Sequence, residues 1–386
     1  MRRLPILLTA AAVALVPACT SDNDTGSSST TSATGTEARE SADSAMADRL
    51  QETIDSLHGE IGFPGVVARV IGPEGEWTGT AGVAGVDDQR PPTPEDRTRI
   101  GSLTKTMTAT AILQLWEDGR LELTDPIGKY VPDLPNGDIA TLEQLATMSS
   151  GIPSYTFDQG FQQKLFADPD TPWTPEQLLD VVRGDPPNFA PGEKFEYSNS
   201  NYVALGLVVE QVSGQSLADY FQEFLFDPLG MSETFLPADA AFPEPHLSGI
   251  TEQGQPDGET ADATNWNPSW GWAAGAVIST IDDLQLWAKA LGTGEVILSP
   301  ATQQYRIESF NYDLPPATPE RAYGFGWGID RGWLEHTGEL PGYNTYAGYL
   351  PASGTILVAT VNSDIPSPDG AGPVTVVVDA LKQDLE

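Results

Sequence analysis

The sequence has one cysteine, Cys19, and three histidines, His58, His246 and His336. A single thiol excludes an intramolecular disulfide and a cysteine-based zinc site. The histidines are far apart and form no H-x-x-x-H pair, so no metal site is expected, and no motif asks for a cofactor. Positive charge is also scarce. Lys and Arg number 19 against 55 Asp and Glu, a formal net charge of −36. A field of that sign repels nucleic acid and argues against a basic membrane-binding patch. The N-terminal apolar run, Leu4 to Val16, is too short to span a membrane as a helix. What is present is a globular composition, 39% hydrophobic and 9% aromatic. The 386 residues suffice for one large domain or two medium ones.

Arg2 and Arg3, the apolar run and Val16-Pro17-Ala18-Cys19 read as an export signal over residues 1–18. Small residues before a lone cysteine resemble a bacterial lipobox, which implies cleavage before Cys19 and lipidation of its thiol. The alternative is an ordinary signal peptide cut near Ala18, giving a secreted protein. Residues 19–45, rich in Ser, Thr, Gly and Asp, have little to pack and are expected to form a flexible tether. The globular part is expected from residue 46 to 386.

Within it, Ala47–Gly59 reads as a helix, followed by a hairpin of Gly65–Ile71 and Trp77–Val83. Short helices are expected at Thr141–Met148, Thr174–Arg183, Asn201–Val212, Ser216–Leu225 and from Thr280 to Leu291. Strands are expected at Tyr323–Ile329, Trp333–His336, Thr345–Leu350 and Thr355–Asn362, and a closing helix at Val374–Leu385. Strands cluster at both ends of the chain and helices in the middle. This predicts an α/β (α+β) fold: an antiparallel sheet flanked by helices, from about 46–115 and 275–386, with a mostly helical part inserted at about 116–274.

The most informative stretch runs from Arg99 to Gly119. Leu103, Met107, Ala111 and Leu115 recur at i+4, with Ile112 and Trp116 beside them, which predicts an amphipathic helix starting near Ser102. Ser102 and Lys105 then share one side of its first turn. A serine at a helix N-terminus lies where backbone N–H groups favour an oxyanion. Lysine opposes the dipole there, and only Lys105 of six lysines has a serine three residues before it. Two further motifs follow: Tyr197-Ser198-Asn199 before a helix, and His336-Thr337-Gly338 near a strand end. Each alone has a plain structural reading, as a helix cap, a core edge or a strand leading to a turn.

Ser102-Leu103-Thr104-Lys105, Tyr197-Ser198-Asn199 and His336-Thr337-Gly338 fall in the order of the penicillin-recognising serine hydrolases, the β-lactamase-related family. The variant with tyrosine in the second motif and histidine in the third resembles the D-alanyl-D-alanine carboxypeptidases of the Streptomyces type. Class C β-lactamases and esterases resemble it more distantly. The resemblance implies a β-lactamase/DD-peptidase-like fold and an acyl-enzyme at Ser102, with Lys105 or Tyr197 as the base. It implies backbone N–H groups of Ser102 and Glu339 as the oxyanion hole. Asn199 would hold Lys105 or the substrate amide, and His336, Thr337 and Gly338 the strand along which substrate lies. Trp270 and Phe157 would wall the cleft. The implied partner is a small molecule or peptide: a cell-wall stem peptide, an ester or a β-lactam. Two departures touch specificity. Arg331 is displaced from the carboxylate-binding arginine of the peptidase, and Glu339 replaces a threonine, so its carboxylate would repel another if it faced the cleft. A non-catalytic penicillin-binding sensor is the rival from another class.

Overall fold

The structure, a computed structural model, describes residues 33–385. The export signal, Cys19 and most of the expected tether lie outside the described residues. From Ala42 onward the chain forms one compact unit.

Its centre is a seven-stranded antiparallel sheet. The first hairpin, Gly65–Gly72 with Gly75–Gly82, pairs with Thr355–Val361 from the end of the chain. Tyr343–Leu350 and Trp333–Leu340 follow, then Gly328–Asp330 and Arg321–Tyr323 at the far edge. The expected sheet from both chain ends is therefore present. Two boundaries differ from expectation. The single strand expected at Tyr323–Ile329 is two short strands, because the chain turns at Gly326, where φ is +83°. The strand expected to stop at His336 runs on to Leu340, turning at Gly342 with φ +84°. His336 thus lies mid-strand.

Both faces of the sheet are covered. On one, Met46, Leu50 and Ile54 of the helix Ala33–Ile61 pack with Val374, Val377, Val378 and Leu381 of Pro373–Asp384 against Val66, Ala68, Leu357 and Ala359. The first helix starts at Ala33, inside the segment expected as tether. Glu37, Ala38, Arg39 and Glu40 are good helix formers, which suits a helix start before Met46. On the other face lie Ile281–Thr293 and the serine helix, Thr104–Glu117, which a 3-10 turn at Gly101–Leu103 leads into.

The serine helix is not amphipathic in the expected sense. Every residue from Thr104 to Leu113 is buried, so it is a central helix covered all round. Four threonines stand on two sides of it, Thr104 with Thr108 and Thr106 with Thr110, and each finds a partner indoors. Thr104 Oγ1 accepts from the Val277 N–H at 3.1 Å, Thr108 donates to the Ala273 carbonyl at 2.7 Å, and Thr106 and Thr110 donate back along the helix. The helical part contributes Leu142–Ala146, Pro175–Asp180 and Asn199–Ser213, the last packed on the serine helix.

Candidate active site

Ser102 sits in the 3-10 turn with Lys105 one turn further. Lys105 Nζ is 2.8 Å from Ser102 Oγ and 2.7 Å from the Ala274 carbonyl oxygen. Lys105 is wholly buried, and no carboxylate is among its partners in the described residues. Burial alone pushes its pKa well below the usual lysine range, because the charged form loses its hydration without a counter-ion. A neutral amine here can donate to the carbonyl of Ala274 while its lone pair faces the Ser102 hydroxyl.

Tyr197 closes the other side. Lys105 Nζ lies 4.9 Å from the centre of its ring. Desolvation raises the Tyr197 pKa, while Ser102 acts in the opposite sense, so the ring carries a neutral phenol. Tyr197 precedes the helix Asn199–Ser213, whose start is stitched to the turn Tyr155–Phe157. The Asn199 N–H donates to Ser154 Oγ at 3.0 Å, and the Tyr155 N–H to Ser200 Oγ at 3.0 Å.

The third motif arrives on the strand Trp333–Leu340. Its backbone lies directly on the serine turn. A Cβ at Gly338 would stand 1.8 Å from the Ile100 carbonyl oxygen, and one at Gly101 would stand 2.4 Å from the Glu339 nitrogen. Only glycine fits either position. This contact brings the amides of Ser102 and Glu339 to one spot beside the Ser102 hydroxyl, which suits an oxyanion. Beyond Glu335 the outer edge of the strand has no pairing strand among the described residues, so an extended substrate can lie along it.

His336 is buried and neutral. Its Nε2 is 3.0 Å from the Tyr323 hydroxyl and its Nδ1 faces the Thr337 carbonyl oxygen. Desolvation is the main cause that pushes its pKa down to about 3. Tyr323 in turn meets the Tyr197 ring edge-on at 6.3 Å.

The structure narrows three of the expectations. Asn199 does not hold Lys105: its amide donates to Thr156 Oγ1 at 3.0 Å, and the second partner of Lys105 is the Ala274 carbonyl. The Glu339 side chain does not face the serine. It shares with Thr337 the side of the strand opposite His336 and Gly338, where its carboxyl is partly covered and lies 3.4 Å from the Gln253 amide. Arg331 is committed to Asp379 at 2.6 Å. Trp270 lines a narrow crevice with Leu340 and Pro341, and Phe157 is 68% exposed on the Tyr155–Phe157 turn. The sequence reading missed Ala274 as a lysine partner, which acts through its backbone and leaves no trace in residue type. It also missed Tyr323, whose hydroxyl reaches His336 only once the strand Gly328–Asp330 sets the two outer strands side by side.

Glu339 carries a testable pH effect. Desolvation, then the neighbouring Asp364, push its pKa up to about 7. Between the usual carboxylate range and that value the folded chain keeps a proton that the unfolded chain has released. Its contribution to stability is therefore lost as pH rises through that window. Glu339→Gln is expected to melt progressively higher than the parent as pH goes from 5 to 8. A Tm difference that does not vary with pH would show that the carboxyl titrates normally.

The comparisons with known proteins bear on the family and the fold. The beta-lactamase family profile matches residues 50–382. The protein flp of Staphylococcus aureus is 30% identical over 297 residues, 73% of this chain, which spans only 56% of that protein's length. A putative penicillin-binding protein PbpX of Bacillus subtilis is 28% identical over 82% of this chain and 74% of its own. Among solved structures, a D-stereospecific amidohydrolase from a Streptomyces species is 32% identical with a TM-score of 0.77, covering 86% of this chain and 98% of that one. A D-amino acid amidase from Ochrobactrum anthropi is 26% identical with a TM-score of 0.76, covering 89% and 100%. With the motifs, the fold and the profile in agreement, the chain belongs to the beta-lactamase family and has the β-lactamase/DD-peptidase fold of serine hydrolases.

Proposed function

We propose that this protein is an exported serine hydrolase that forms an acyl-enzyme at Ser102 on D-configured amide, peptide or ester substrates and is acylated by β-lactams. The observation that carries the reading is the buried Lys105 amine, 2.8 Å from Ser102 Oγ with no counter-ion to keep it charged. Burial depresses the lysine and raises Tyr197, which favours neutral Lys105 as the base and Tyr197 as a proton donor. Ser102 gives its proton to Lys105 as its oxygen attacks the carbonyl carbon. The amides of Ser102 and Glu339 take the oxyanion. As the bond to the leaving nitrogen or oxygen breaks, that atom takes the Tyr197 proton, and the Lys105 ammonium restores Tyr197. Water repeats the sequence on the acyl-enzyme.

The resemblance to DD-carboxypeptidases supports a stem peptide as substrate. The two solved neighbours named for D-amino acid amides support the D-configured acyl group. Against a sensor stands the complete set of Ser102, Lys105 and Tyr197, held in working contact. Intact-mass analysis after exposure to penicillin should show one adduct, mapped by proteolysis to the peptide holding Ser102. An adduct elsewhere, or none with penicillin and with a D-alanyl ester alike, would overturn the reading. Membrane tethering through Cys19 is proposed from the lipobox resemblance. Cys19→Ala is expected to move the protein from the membrane fraction to the medium, and unchanged detergent partitioning would refute it.

A further inference from the structure

A cavity of about 430 Å³ opens beside the catalytic residues, the scale of a small-molecule site. Its inner wall is Tyr197, Tyr323 and His336. It passes Thr337 on the open strand edge and reaches the opposite face of the sheet, where Tyr346 and Val378 line it. Leu314, Pro316 and Ala317, in the segment before the strand Arg321–Tyr323, line it too.

Its position fixes which part of a substrate enters. The oxyanion donors lie at Ser102 and Glu339. Tyr197 lies on the other side of the serine and is the group that protonates the departing atom. That atom must face Tyr197, so whatever is attached to it runs past Thr337 into the cavity.

The charges lining the cavity are already committed. Lys382 Nζ and the Tyr346 hydroxyl both hold Glu335 Oε2, at 2.6 and 2.7 Å. Arg321 reaches both oxygens of Asp330 at 3.3 Å. Arg331 holds Asp379. His336, spent between Tyr323 and the Thr337 carbonyl, is neutral. Among the described lining residues every cation faces a carboxylate, and what remains is aromatic and aliphatic surface with the uncharged polar side chains of Asn311, Thr337 and Thr375. A carboxylate entering here would give up its hydration without a counter-charge. An apolar group would only exchange water for hydrocarbon.

We propose that this cavity is a leaving-group subsite that takes an uncharged, bulky apolar alcohol or amine and disfavours a leaving group with a free carboxylate. The proposal rests on the acylation of Ser102 argued above and narrows it. The Ser102 Oγ–acyl bond forms, the acyl–oxygen or acyl–nitrogen bond breaks, and the departing atom carries away the Tyr197 proton.

Three esters of N-acetyl-D-alanine test it: methyl, benzyl and carboxymethyl. All give the same acyl-enzyme, so kcat/KM divided by the rate of hydroxide hydrolysis isolates the leaving group. The benzyl ester should exceed the methyl ester by about tenfold or more, and the carboxymethyl ester should fall below it. Ala317→Trp, on the cavity wall, should cut the benzyl-to-methyl ratio about tenfold. Equal normalised values for the three esters, or a ratio untouched by Ala317→Trp, would overturn the proposal. So would a preferred carboxymethyl ester whose advantage disappears in Arg321→Gln, since that outcome makes Arg321 a carboxylate receptor. Esters turned over without preference leave the acyl-enzyme reading standing. Failure of all three to acylate Ser102 removes that reading and this proposal with it.

Discussion

Lys105→Met is expected to lower kcat/KM by about 10³–10⁴-fold, in the upper part of the range for a lost general base. The methionine keeps most of the lysine's length and apolar contacts, so packing around Ser102 survives. What disappears is the amine nitrogen 2.8 Å from Ser102 Oγ. The same substitution should raise Tm at pH 7. In the folded chain the Lys105 pKa is depressed, whereas the unfolded chain binds a proton there up to the ordinary lysine value. In that window folding must release a proton, a cost that grows as pH falls and fades as pH approaches the unfolded value. The advantage of the variant over the parent should therefore shrink above pH 9. In the parent, log kcat/KM should climb with pH through the depressed value and then level off. A variant that is inactive but also unstable at every pH would mean that the lysine is structural.

Tyr197→Phe should cost about 10²–10⁴-fold in turnover. The ring stays, with its edge-on contact to Tyr323 and its place beside Lys105. Only the proton that the leaving atom needs is removed. A packing role predicts near-full activity and a changed Tm, whereas proton donation predicts the reverse. The loss should also grow with the basicity of the leaving group, because a poor leaving group needs the proton more. An alkyl amide should suffer more than a p-nitrophenyl ester. Equal losses on both would assign Tyr197 to positioning and not to proton transfer.

The features legible in the sequence were those that residue type marks. Ser102, Lys105 and Tyr197 announce themselves by chemistry and order, and the Gly65–Ile71 strand by its β-branched run. The helix Pro300–Glu308 was not found, although Ser299 caps it and Pro300 starts it. Its buried positions are Thr302, Gln303 and Arg306, so the apolar period that reveals a helix is missing. The same cause hid the full burial of the serine helix, where threonines stand at inward positions and satisfy themselves through backbone groups. Glu339 was legible as a residue but not as a direction. Strand alternation sets its side, and that needs the register with Tyr343–Leu350. For Asn199 the sequence leaves two roles open, holding Lys105 or the substrate amide, and nothing in residue type shows that the Ala274 carbonyl is the lysine's second partner.

The bare backbone contact of Ile100–Ser102 with Gly338 and Glu339 joins segments separated by most of the domain, and the strand it uses is paired to a neighbour that pairs in turn with Thr355–Val361. During refolding Ser102 and Lys105 can come together locally, three residues apart, long before the strand that brings the Glu339 amide to them is in place. Such distant pairings close late, because loop-closure entropy must be overcome first. Recovery of hydrolysis should therefore lag behind recovery of helical signal. Penicillin acylation, which needs the same closed contact, would then serve as a covalent clock for the last step of folding.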